Sequence, residues 1–218
     1  MLKRIKENSK VKKGQLYLVG FSLIFISLGL IVFQIYDNKK TSFEEQELKE
    51  EFYEKYEKEE SPIIEPTTQI VAEKKKKESD GKTTTINYIG MLKIPKIKLE
   101  KGFLEKDNPK NNVNKNIQIL ADSNYPDKDK GNVIIASHSG NSKVSFFKNL
   151  DKLELNDKAS ILYKGKEYKY KLVNSYDVEK TGKVAIYRNK EVNTLTLITC
   201  RKNTNKQIVL IFELEEII

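Results

Sequence analysis

The hydrophobic positions along this chain fall into three textures. From Leu16 to Tyr36, "LYLVGFSLIFISLGLIVFQIY" carries no charge. At about 1.5 Å of helical rise per residue it spans about 30 Å, the thickness of a bilayer's hydrocarbon core. From Asp37 to about Glu60 the chain is mostly Glu and Lys, with Phe43, Leu48, Phe52, Tyr53 and Tyr56 as the large apolar or aromatic side chains. This stretch has no Pro or Gly, which predicts a solvated helix held by Glu-to-Lys pairs with weak packing at best. Pro62, Pro66, the paired threonines and "EKKKKESDGKTTT" then predict a flexible linker up to residue 85.

From Ile86 to Ile218 the texture changes to short apolar runs between Gly, Pro, Asn and Asp. "YIGMLKIPKIKLEKGFL" predicts two or three strands broken at Pro95 and Gly102. "GNVIIASH" predicts a buried strand ending at His138, and "NSKVSFFKNLDKL" a short helix with Val144, Phe147 and Leu150 on one face. "KASILYKGKEYKYKLVNSYDV" predicts a hairpin turning at Lys164-Gly165, with Tyr168, Tyr170 and Leu172 alternating against Glu167, Lys169 and Lys171. "NTLTLIT" and "KQIVLIFEL" predict two closing strands. Seven or eight strands with one or two short helices imply a small β-barrel, antiparallel or mixed.

The expected organisation is therefore a basic tail (1–15), a transmembrane anchor (16–36), a charged stalk and linker (37–85) and a globular domain (86–218). Six basic residues and one acid precede the apolar span. By the positive-inside rule the N-terminus is cytoplasmic and everything after Tyr36 extracellular, giving a single-pass protein of the cell membrane. The span exceeds a signal peptide's apolar core, and "QIYDNKK" lacks a small-x-small cleavage pattern.

The net charge of +9 does not point to nucleic acid. Arg4, Arg188 and Arg201 are the only arginines, lysine is spread along the chain, and no RNA-reading aromatic motif or zinc-finger spacing occurs. A lysine-rich chain equally suits an anionic cell surface. One cysteine excludes an intramolecular disulfide, and one Cys with one His are too few soft ligands for a metal site. No phosphate-cradling glycine loop is present, and the expectation is no cofactor.

That cysteine, Cys200, and the single histidine, His138, both fall at the C-terminal ends of predicted apolar strands. A lone cysteine after a strand is most often packing. Paired with a histidine at a matching strand end, it can attack an acyl carbon while the imidazole protonates a leaving amine. The backbone N–H after the nucleophile and a nearby cation, Arg201, Lys202 or Lys206, can face the oxyanion.

"TLTLITC" (194–200) resembles the TLxTC signature of sortases, and "NVIIASHSG" (132–140) resembles the strand and loop that bear their histidine. "FFKNLDKLELNDKASILYKGKEYKYKL" is similar to the segment that follows. The resemblance covers most of residues 88–214. It implies an eight-stranded sortase β-barrel behind an N-terminal anchor and stalk, in an extracytoplasmic cysteine transpeptidase of a Gram-positive-type bacterium, class A- or D-like. Such an enzyme cleaves an LPxTG-like C-terminal sorting signal on a secreted protein through a thioester. It then passes the acyl group to an amine of a peptidoglycan precursor.

Carried over by residue, the resemblance makes Cys200 the nucleophile and His138 the general acid and then base. The family's third residue is an arginine on the strand after the cysteine, and "KQIVL" puts Lys206 there. Lysine lacks the planar fork of arginine. Lys206 is therefore the first choice for the oxyanion cation, Arg201 the alternative, and Arg188 a distant third. This departure leaves open a sortase-fold peptide binder with little turnover. A pilin-type sortase is a further alternative, which the lack of a second apolar span after the domain disfavours.

Overall fold

Each strand of the barrel begins where an apolar run begins and ends at a residue that cannot continue it. In the computed structural model, β1 (Gly90–Ile94) stops at Pro95, which opens a one-turn 3-10 helix, Pro95–Ile97. Lys98 then takes a left-handed φ of 52° and turns the chain into β2 (Leu99–Phe103). The expected break at Gly102 is absent, and β2 runs through it. The glycine instead makes room for an aromatic ring, since a Cβ there would lie 2.2 Å from Tyr88.

The structure describes the backbone of residues 2–60 and 87–218 and the side chains of 17–57 and 87–218. The expected linker at 61–85 lies outside the described residues, as do the side chains of the basic tail. One helix, α1, runs Leu2–Glu60, so the predicted apolar span and the charged stretch up to Glu60 are continuous helix. The chain divides into two units, Met1–Glu47 and Leu48–Ile218.

In the first unit, α1 is long and apolar enough to cross a membrane. Its mean hydropathy reaches 2.5, and none of that stretch is buried. Side chains such as Phe25 and Phe33 stand about 70% and 68% exposed, so nothing in the unit covers them.

The second unit holds the end of α1 and an eight-stranded sheet. After β1 and β2 come β3 (Gln118–Ile119), β4 (Asn132–Ala136), β5 (Lys158–Tyr163), β6 (Lys166–Glu179), β7 (Thr194–Cys200) and β8 (Lys206–Ile217). The order is β2-β1-β5-β6-β8-β7-β4-β3, coiled into a nearly closed barrel. Its two edges share one core, with Phe103 of β2 and Ile119 of β3 in the same interior cluster as Tyr170, Leu197 and Phe212. The Asn116 amide reaches across to donate to the Gly102 carbonyl at 3.0 Å.

The hairpin between β5 and β6 turns at Lys164-Gly165, both at positive φ, as a two-residue turn matching the strands' twist requires. Tyr168, Tyr170 and Leu172 point inward, while Glu167, Lys169 and Lys171 face out at least in part.

Two further sequence expectations change. The segment 141–149 forms successive tight turns leading into a 3-10 turn, Leu150–Lys152, instead of an α-helix. The Phe147 N–H donates to the His138 carbonyl at 3.0 Å, a tertiary bond that replaces the one an α-helix would make four residues back. Phe147 and Leu150 are still fully buried. The charged helix also packs better than its composition implies. Phe52 is 7% exposed, in a cluster with Tyr88, Met91, Leu104 and Leu162, flanked by Leu48, Tyr53 and Tyr56.

Candidate active site

Among the described residues, one pair of neighbouring strands in the barrel is parallel, β4 with β7. Both strands are buried on both faces, which is why they read as unbroken apolar runs rather than alternating ones. Their register pairs Asn132 with Thr194, Ile134 with Thr196 and Ala136 with Ile198, each pair 62 residues apart. Alternation sends Val133, Ile135, Leu195 and Leu197 into the barrel core and Ile134 and Ile198 to its outer face.

Cys200 and His138 are also 62 residues apart. They continue the same outward rows, one step past the last paired residues. The Ser137 N–H donates to the Ile198 carbonyl at 3.3 Å and the Thr199 hydroxyl to the Ser137 carbonyl at 2.7 Å, so the strands stay stitched up to that point. Asn132 fixes the other end, its side-chain oxygen accepting from the hydroxyls of Thr194 and Thr196 at 3.0 and 2.9 Å.

His138 and Cys200 open into one cleft of about 460 Å³, lined also by Ser139, Gly140, Asn141, Arg201, Lys202 and Asn203. Cys200 is a free, half-buried thiol. The His138 Nε2 lies 3.0 Å from the Asn114 side-chain oxygen. That oxygen can only accept, so Nε2 carries the proton and donates, leaving Nδ1 for another partner. Nothing in the sequence marks Asn114, one asparagine of several between 108 and 116.

Of the candidate cations, Lys202 lines the cleft, and so does Arg201. Its Nε donates to Asp177 Oδ1 at 2.9 Å, which holds the guanidinium at the end of β6. Lys206 is exposed, lies 3.9 Å from Glu179 and is not among the residues lining this cleft. In the β7–β8 ladder it pairs with Arg201 through a 2.9 Å backbone bond, on the sheet face opposite Cys200. Arg188 points elsewhere, donating to the carbonyls of Asn189 and Lys130.

Beneath the cleft an apolar strip covers the barrel's outer face. Ile134, Ile198, Val209 and Ile211 form its buried floor, with Val184 and Ile186 of the β6–β7 loop packed against it. Tyr176 ties that loop down. Its hydroxyl donates to the Ala185 carbonyl at 2.9 Å and accepts from the Tyr187 N–H at 2.8 Å. Burial pushes the Tyr176 pKa up, against the smaller opposing effect of the Tyr187 N–H, so the hydroxyl remains a donor.

The sortase domain model matches residues 92–214, more than half of the chain. The chain belongs to the sortase family. Sortase D of Bacillus subtilis (strain 168) is 28% identical over 125 residues, 57% of this chain and 60% of that protein. The chain therefore spans less than two thirds of that relative's length.

Solved structures share the fold. A lid mutant of sortase A from Corynebacterium diphtheriae has a TM-score of 0.54 at 19% identity, covering 61% of this chain and 73% of its own. A Clostridium perfringens sortase D5 transpeptidase has a TM-score of 0.51 at 22% identity, with coverages of 60% and 80%. Listeria monocytogenes sortase A also reaches 0.51 at 22%, with coverages of 60% and 88%. The recognition from "TLTLITC" and the eight-stranded barrel are both borne out.

Proposed function

We propose that this sortase is a membrane-anchored transpeptidase acting outside the cell, with α1 as its anchor. It cleaves an LPxTG-like sorting signal on a secreted protein and transfers the acyl part to an amine of a peptidoglycan precursor. The observation that carries this reading is the parallel register of β4 and β7, past whose ends His138 and Cys200 line one cleft above an apolar strip.

The Cys200 thiolate attacks the carbonyl carbon of the scissile amide, and the carbonyl π electrons move to oxygen. As the oxyanion collapses, the C–N bond breaks and protonated His138 gives its proton to the departing amine, leaving a thioester. The acceptor amine then attacks the thioester, His138 takes its proton, and the thiolate leaves. Asn114 is a positioning residue, because its bond to Nε2 turns Nδ1 towards the reacting nitrogen. Arg201 supplies positive charge at the cleft wall, and Lys206 adds to the field from the far face. The strip floored by Ile198 and roofed by Val184 and Ile186 accepts the apolar side chain of the signal.

The test mixes the full chain, in detergent micelles, with peptides varied around Leu-Pro-Ala-Thr-Gly and looks by intact mass for an adduct. An adduct that forms with the wild type and disappears in Cys200→Ala is expected. No adduct across the panel, or one that survives the substitution, overturns the reading.

A further inference from the structure

The residue directly across the ladder from Cys200 is Gln207. Cross-strand partners in an antiparallel pair share a sheet face, so Gln207 stands on the outer face with Cys200, and Lys206 does not. The type of pair sharpens the placement. Along β7–β8 the Leu214 N–H donates to the Asn193 carbonyl and the Arg201 N–H to the Lys206 carbonyl, both at 2.9 Å. Hydrogen-bonded and non-hydrogen-bonded pairs alternate residue by residue, which makes Cys200–Gln207 a non-hydrogen-bonded pair. In such a pair the Cα atoms are about 4.5 Å apart and the side chains closest.

Gln207 is half-buried, and among the described residues its side-chain amide has no hydrogen-bond partner. Of the charged groups nearby, Arg201 and Lys202 line the cleft, Arg201 paired with Asp177, while Lys206 is turned to Glu179. A half-buried amide on the nucleophile's face offers two N–H donors.

We infer that the Gln207 side-chain amide is the donor that binds the oxyanion formed when Cys200 attacks a carbonyl. The sequence contained a signal for this. Counting alternation from the buried Ile208, Leu210 and Phe212 of β8 puts Gln207 on the outer row and Lys206 on the inner one. The inference deepens the transpeptidase reading by naming a residue of the same site. It concerns any acyl transfer to Cys200, so its test needs no sorting signal.

The experiment uses p-nitrophenyl acetate with the full chain in micelles. The thiolate attacks the ester carbonyl, the oxyanion forms, p-nitrophenolate departs, and Cys200 keeps the acetyl as a thioester. The rate at Cys200 is the excess over Cys200→Ala, with the site of acetylation read by intact mass. Iodoacetamide is the control, because displacement of iodide alkylates the same thiolate without forming an oxyanion.

Gln207→Ala and Gln207→Glu are expected to slow acetylation about 100-fold, the usual effect of removing one oxyanion donor. Alkylation by iodoacetamide stays at the wild-type rate, and Gln207→Arg, which restores N–H donors, recovers acetylation. The inference is overturned by wild-type acetylation in the Ala and Glu variants, or by a parallel fall in both reactions. No Cys200-dependent acetylation in the wild type overturns it as well. Failure of the sorting-peptide panel alone sinks the proposed substrate and leaves this result standing.

Discussion

Three side chains border the proposed chemistry: Asn114 accepts from the imidazole, Gln207 is the cross-strand partner of Cys200, and Asp177 holds Arg201. The hydrogen bond from His138 to Asn114 is a matter of orientation, so its loss lowers turnover without changing peptide capture. Asn114→Ala is expected to reduce kcat for transpeptidation about 10-fold, part of the roughly 100-fold or more a positioned acid supplies. KM and the alkylation rate of Cys200 stay constant. Asn114→Asp keeps an acceptor at the same place and retains most of the activity. Steady-state kinetics with an active peptide from the sorting panel check this, and a rise in KM with constant kcat contradicts it.

Neighbouring elements hold the site from the sides. The β6–β7 loop rests on the Tyr176 hydroxyl, and Tyr176→Phe removes two hydrogen bonds while keeping the ring against Tyr187. At about 1 kcal/mol for each bond, the loop opens more often. Amide exchange at residues 183–190 accelerates by about tenfold, and KM for the peptide rises several-fold with kcat preserved. The end of α1 depends on one ring in the same way. Phe52→Ala leaves a cavity among Tyr88, Met91, Leu104 and Leu162 and costs about 3 kcal/mol of helix docking. Exchange then speeds at residues 48–57, whereas β7 amides, in a separate cluster, keep their protection.

At the scale of the molecule, the strands were legible because period-two alternation and unbroken apolar runs are local signals. Cys200 and His138 were legible because each is the single residue of its type at a strand end. Pairing is not local. That β4 lies beside β7, and that this pair is parallel, depends on the closing of the whole barrel. The docking of Phe52 was hidden by the Glu and Lys around it, and the turns at 141–149 by a helical spacing that a bond to the His138 carbonyl overrode. Gln207, the residue inferred to bind the oxyanion, is one position from the expected Lys206, and on a strand one residue is the difference between two faces.

The parallel pairing of β4 and β7 also sets when the chemistry can begin. Two strands of one hairpin and the loops around them lie between the partners, so this contact closes a long stretch of chain. Contacts of such sequence separation form slowly, after local hairpins have reduced the entropy of closure. Until then His138 and Cys200 are strangers on an open polypeptide, and an incompletely folded chain holds a thiol without its acid. Completion of the fold is thus what brings the two side chains into one cleft.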